Sequence, residues 1–369
     1  MKKLFSLLLA SMLLFSGCSS PESTPATSGS AGEETTQTST QPAVSAEGNS
    51  GELPADGPDI QLDLAHNSTE TSIYHAVILQ FKETLESRSG GKIKLNVYPN
   101  GQLGSDSEIA ASCQLGNISM VYQSSSTHAT LVPEASLFDT PFLLTNYSMD
   151  AVEQVCIDSA FREKYNAVYD AAGFKLMTLS AVNTMNLSSN KAIESMADLQ
   201  GLKIRTAQSE SRMAIWTALG ANPTPLAYSE LYMALQQGLV TASDNTFSNM
   251  VSGKLVEQQK YVFKSAHFQP SFCLLMNKSK FEELPKEYQD LIEAVSRENN
   301  YIEFVELEKD EQECERIISE EYGLEFCEIS DSFMVEMQVK AKPAVESARK
   351  LVNNDDLFDQ LLADLEAAK

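Results

Sequence analysis

Residues 201–249 read GLKIRTAQSESRMAIWTALGANPTPLAYSELYMALQQGLVTASDNTFSN, and the fold is decided here. Leu202, Ile204 and Thr206 alternate as in a short strand. Residues 211–219 have helical spacing, carry Trp216, the single Trp of the chain, and stop at Gly220. Asn222-Pro223-Thr224-Pro225 predicts a stiff turn. Ser229 is placed to cap a helix over 230–237, which Gly238 closes. Residues 240–245 return as a strand that finishes on Asp244-Asn245. Arg205 stands among the apolar residues of the first strand. Its fixed charge and planar fork of donors match a carboxylate bidentately. Three readings fit it: a pair with a nearby Asp, a head that snorkels to water, or capture of an acid.

The stretch resembles the signature region of the substrate-binding proteins of TRAP (tripartite, ATP-independent, periplasmic-type) transporters, the dicarboxylate-binding family. The family pattern G-x-K-[IL]-R is matched by Gly201-Leu202-Lys203-Ile204-Arg205, and G-A-x-P-T-P by Gly220-Ala221-Asn222-Pro223-Thr224-Pro225. E-[LV]-Y-x-A-L-Q is matched by Glu230-Leu231-Tyr232-Met233-Ala234-Leu235-Gln236. Tyr98-Pro99-Asn100-Gly101-Gln102-Leu103-Gly104 matches a further family segment. The resemblance covers roughly residues 60–322. It implies a two-lobed, periplasmic-binding-protein-like α/β fold. Each lobe would be a mainly parallel sheet flanked by helices, with a long helix spanning both. It also implies that Arg205 clamps the carboxylate of a small organic acid.

Working outward, Lys2 and Lys3 precede the apolar run 4–15, and Phe15-Ser16-Gly17-Cys18 follows. This predicts a lipoprotein signal over 1–17, with lipid on Cys18 tethering the protein outside the cytoplasmic membrane, at the cell surface or in the periplasm. Residues 18–58 are rich in Ser, Thr, Gly, Glu, Pro and Ala and predict a disordered tether. The remaining stretch of about 310 residues suffices for two lobes. Lobe I is expected over 59–182 and lobe II over 183–270. Residues 271–310 are expected to return to lobe I and form the spanning helix, and 311–369 to complete lobe II with the C-terminal helices.

In lobe I, strand and helix patterns alternate over 60–123 and imply a parallel sheet. Ligands sit beyond the carboxyl ends of such strands. His66-Asn67 and Gln123-Ser124 fall at those ends, which makes His66 and Ser124 candidates. By resemblance, Asn245 faces the ligand, and its amide can donate to a carboxylate or accept from a hydroxyl. Tyr228 occupies an aromatic position after Thr224-Pro225-Leu226, open to stacking or to core packing. Met185, with Asn186 beside it, stands where some family members carry a second arginine. A single guanidinium is therefore expected, and with it a monocarboxylate or an acid with an apolar body.

The formal net charge of -24 argues against nucleic acid. Cys113, Cys156, Cys273, Cys314 and Cys327 show no metal spacing and read as buried small apolar residues. Neither G-x-S-x-G nor H-E-x-x-H occurs, and no enzyme activity, cofactor or metal is expected. The expected partners are the organic acid, the TRAP permease subunits, and the membrane through Cys18, with the protein itself a monomer. Service to an ABC importer or to a sensor kinase is the alternative.

Overall fold

The structure, a computed structural model, describes residues 53–369. The signal sequence, Cys18 and most of the tether lie outside the described residues. Leu53 is buried, Tyr288 donates to the Pro58 carbonyl at 2.7 Å, and Lys92 Nζ donates to the Gly57 carbonyl at 3.0 Å. The folded body therefore takes in residues 53–58, which the sequence reading assigned to the tether.

Lobe I begins with β1 (Ile60–Ala65), α1 (Ile73–Arg88), β2 (Ile93–Tyr98), α2 (Asp106–Gln114) and β3 (Met120–Ser124). Then come α3 (Met149–Ile157), α4 (Ala160–Ala171) and β4 (Phe174–Ser180). The chain crosses into lobe II as β5 (Met185–Ser189) and continues through α5 (Met196–Leu199), β6 (Lys203–Thr206), α6 (Glu210–Ala218) and β7 (Asn222–Pro225). Next are α7 (Tyr228–Gln236), β8 (Ala242–Asn245), α8 (Phe247–Ser252) and β9 (Tyr261–Phe268). It returns to lobe I as β10 (Phe272–Asn277), α9 (Lys278–Glu282) and α10 (Lys286–Glu320). The last elements are β11 (Glu325–Phe326), α11 (Asp331–Val352) and α12 (Asp355–Ala367).

The sheets run β2-β1-β3-β10-β4 and β11-β9-β5-β8-β6-β7. Each is mainly parallel, with a single opposed strand: β10 in the first and β5 in the second. These are the two strands by which the chain changes lobe. Strand ends meet at the cleft, so a strand that crosses directly, with no returning helix, must run away from the cleft in its new sheet.

Alternation builds the core. In β2, Ile93 and Leu95 are buried while Lys94 and Asn96 face water. They join Leu64, Phe81 and Tyr122 in the lobe I core, and Leu187, Ile204, Trp216 and Phe263 fill lobe II. The 35 residues of α10 extend for about 52 Å. Its Ile292, Phe304 and Leu307 pack into lobe I, while Cys314 and Ile318 pack with Phe247, Met250 and Val262 of lobe II. This is the spanning helix expected from the sequence.

Three local readings are corrected. Asn222–Pro225 is an edge strand, not a turn. Asn222 N donates to the Leu202 carbonyl at 2.8 Å and Leu226 N to the Thr206 carbonyl at 3.2 Å, so the alternate positions, Pro223 and Pro225, owe the ladder no N–H. Helix α7 starts at Tyr228, and the Glu230 carboxylate accepts from Ala227 N at 3.2 Å, so Ser229 lies inside the helix and is not its cap. Helix α12 inserts Leu357, Phe358 and Leu361 into the lobe I core, although the sequence reading put 311–369 in lobe II. Cys113, Cys156, Cys273 and Cys314 are buried free thiols, and Cys327 is a half-buried one. No helix among the described residues is long and apolar enough to cross a membrane.

Candidate functional site

The carboxyl ends of β1 and β3, the start of β10, and the ends of β6 and β8 converge on one cavity between the lobes, about 70 Å³ in volume. A site for one ordered water needs roughly 10–15 Å³ on this scale, so the chamber fits a short organic molecule.

Arg205, on β6, is 3% exposed and lines the cavity. Burial excludes a snorkelled head. Its Nε and Nη2 both donate to the Leu226 carbonyl, at 3.0 and 2.7 Å, and it makes no salt bridge among the described residues. Burial pushes the guanidinium down to about 10; Asp244 and Asp106 support its charge and Arg212 opposes it. Arg205 is thus a cation at neutral pH, fixed along one edge by a backbone carbonyl. Withdrawing such a charge from water is unfavourable unless something anionic completes it.

A second cation stands beside it. Arg212, in the first turn of α6, is 4% exposed and lines the same cavity. Its Nε donates to Asp139 Oδ1 at 3.1 Å. Asp139 Oδ2 accepts from the hydroxyls of Ser209 and Ser211 at 3.1 and 3.2 Å. Behind both cations lies Asp244, whose Oδ2 accepts from Trp216 Nε1 at 3.0 Å and lies 3.5 Å from His267 Nε2. Burial works to raise the Asp244 carboxyl, but His267, Arg212 and Trp216 outweigh it and hold the group below its usual range.

The other walls are polar or aromatic. They include Asn67, Gln123, Asn245, Tyr122, Tyr228 and Phe272. Tyr228 donates to the Asn249 carbonyl at 2.9 Å, which ties α7 to α8 and leaves its ring at the cavity. A β-carbon at position 253 would collide with the Tyr228 hydroxyl, so Gly253 permits this seat. Asp106 sits at the cavity wall where α2 begins; burial pushes its carboxyl up, against Asn67 and Arg205.

A profile described as "Bacterial extracellular solute-binding protein, family 7" matches residues 64–351. The chain belongs to this family. It is 30% identical over 235 residues to the "C4-dicarboxylate-binding periplasmic protein DctP" of Rhodobacter capsulatus, covering 63% of this chain and 70% of that protein. A TRAP periplasmic solute-binding protein from Sulfurospirillum deleyianum, solved with bound succinate, superimposes with a TM-score of 0.76 at 26% identity, covering 83% of this chain and 99% of the other. The sugar acid binding protein of Advenella mimigardefordensis, solved with galactonate, has the same fold: TM-score 0.79 at 23% identity, covering 85% and 99%.

In this family 7 chain, five of the residues singled out from sequence meet at the cavity: Arg205, Asn245, Tyr228, Met185 and Ser124. His66 and Asn186 do not. His66 is buried with Nε2 3.0 Å from His75 Nδ1, and its neighbour Asn67 takes the place at the wall. Asn186 donates to the Thr184 carbonyl and accepts from Ala266 N at 3.2 Å, where Ala266 has a φ of 41°. It secures an irregular stretch between β5 and β9. The sequence reading also missed Arg212, Asp106 and Phe272. The expectation of a single guanidinium fails because the second one comes from a helix, not from the Met185 position. A wider hollow of about 500 Å³ at β11 is lined by Glu194, Glu325 and Glu328 without a Lys or Arg, and would repel an acid.

Proposed function

We propose that this protein is the substrate-binding component of a TRAP transporter, capturing a small organic acid between its lobes and delivering it to the membrane permease. The observation that carries this reading is Arg205: a buried cation at the interlobe cavity, without a carboxylate partner among the described residues. The dicarboxylate-binding relative and the succinate-bound structure support the ligand class. The Leu226 carbonyl holds the Nε edge of Arg205, which pre-orients the fork toward the acid. Closure of the lobes removes water and strengthens the charge-assisted bonds. Asn245, on the neighbouring strand, reads an oxygen of the ligand, and the rings of Tyr228 and Phe272 cover its carbon skeleton. The protein acts by binding and closure, with no catalytic step, as a monomer held to the membrane by lipid on Cys18.

Calorimetry with the acid that co-purifies tests the clamp. Arg205→Ala abolishes measurable binding, and Arg205→Lys retains a fraction because the fork is lost. Wild-type affinity in the Ala variant overturns the reading. For the anchor, Cys18→Ser shifts the protein into the soluble fraction; retention on membranes after salt washing shows a different anchor.

A further inference from the structure

Arg212 has the geometry of a guanidinium held on one edge and left incomplete on the other. Its Nε is bound to Asp139, whose second oxygen is filled by Ser209 and Ser211. The remaining edge meets poor partners. Nη1 points to the thioether of Met185 at 3.9 Å, and Nη2 to Ser124 Oγ at 3.4 Å, a hydroxyl already 3.0 Å from that of Ser126. An arginine carries five N–H donors, and a thioether is a weak acceptor. Met185, Ser124, Arg205 and Arg212 all line the one cavity. Arg205 shows the same plan, with its Nε edge on a carbonyl and Nη1 uncommitted.

The geometry points to Arg212 as a second anion-binding residue: the ligand is a short acid with a second carboxylate, one end on Arg205 and the other on Arg212. This rests on the reading of Arg205 as the carboxylate clamp. The second carboxylate displaces the weak contacts to Met185 and Ser124 and completes the guanidinium. The pairing also joins the lobes. Arg212 belongs to lobe II, while Asp139 follows Leu137 and Phe138, which are part of the lobe I core. Occupancy of Arg212 by ligand therefore adds an anion where the two lobes already meet. The small cavity sets the length of the acid.

The test removes one charge from the ligand without changing its length. Malonate, succinate and glutarate are each compared by calorimetry with their monoamides, on wild type, Arg212→Gln, Arg212→Lys and the double variant Asp139→Asn/Arg212→Gln. The double variant leaves no unpaired carboxylate behind if Arg212→Gln alone folds poorly. In wild type, the best-fitting diacid binds about 30-fold tighter than its monoamide. That preference collapses to about threefold or less in Arg212→Gln and in the double variant, and is intermediate in Arg212→Lys. If Arg212 only ties the lobes together, the variants weaken diacid and monoamide by the same factor, and the inference falls. A wild type that does not separate diacid from monoamide, or that binds a monoacid and none of these diacids, also overturns it while leaving the Arg205 clamp in place. A wild type that binds no carboxylate overturns both.

Discussion

Lobe II meets the cavity with Arg205, Arg212 and Asn245, whereas lobe I meets it with Asn67, Tyr122, Gln123, Ser124, Phe272 and the upward-shifted carboxyl of Asp106. The contrast continues one layer deeper. Behind the lobe II wall, Asp244 is held below the usual carboxylate range. Behind the lobe I wall, Glu303 of α10 accepts from Thr178 Oγ1 and Asn299 Nδ2, each at 3.2 Å, and burial pushes its carboxyl up to about 8. At neutral pH that group is largely protonated. Lobe II thus brings both cations to the cavity, while lobe I brings polar and aromatic side chains and carboxyls that burial shifts upward. This assigns capture of the acid to lobe II, and to lobe I the task of closing over it.

The largest break in that asymmetry comes from truncating one polar side chain on each wall. Arg205→Ala weakens acid binding by about 100-fold or more, the scale expected for truncating a buried charged hydrogen bond. Ser124→Ala, on the other wall, weakens it by about threefold. Equal losses would mean that capture is shared between the lobes.

A smaller effect tests closure itself. Tyr74, of lobe I, has its hydroxyl 3.4 Å from Thr246 Oγ1 of lobe II and accepts from Asn183 Nδ2 at 3.1 Å, with its ring stacked on Phe272 at 4.3 Å. Tyr74→Phe keeps the stack and loses the bridge between lobes. We predict about a fivefold loss of affinity, carried by a faster off-rate in stopped-flow measurements. An unchanged off-rate would detach this bridge from closure.

The smallest effect on binding belongs to Glu303, where stability is the readout. Its carboxyl titrates at about 8 in the folded state against 4.5 ordinarily. Between these values the native protein keeps a proton that the unfolded chain has released, so this group lowers stability as pH rises through that window. Glu303→Gln keeps the shape, flattens the fall of Tm between pH 6 and 9, raises Tm at pH 9 by about 4 °C and changes affinity less than twofold. A parallel shift of the two Tm profiles would place the ionisation elsewhere.

Much of this could be read from residue order, and the misses have physical causes. Alternation fixed the strands, but neighbouring residues at a strand end face opposite sides, so an error of one position exchanges His66 for Asn67. The same alternation puts Met185 at the cavity and turns Asn186 toward Ala266. Paired prolines in 222–225 imitate a turn because the sequence does not show which N–H groups an edge strand can spare. Arg212 went unseen for a different reason. Its partner Asp139 is 73 residues upstream, and no local spacing announces a contact made only when two lobes meet. Arg205 on β6 could be singled out because the segments around it, β6, α6, β7 and α7, are contiguous in the sequence.

We hold that the buried Arg205 guanidinium on lobe II binds the ligand by its carboxylate. Native mass spectrometry of wild type and Arg205→Ala, expressed and purified side by side without added ligand, tests it most directly. Wild type is expected to carry a small acid released on denaturation, and the folded variant, matched by circular dichroism, to carry none. The same adduct at the same occupancy on both proteins would contradict it.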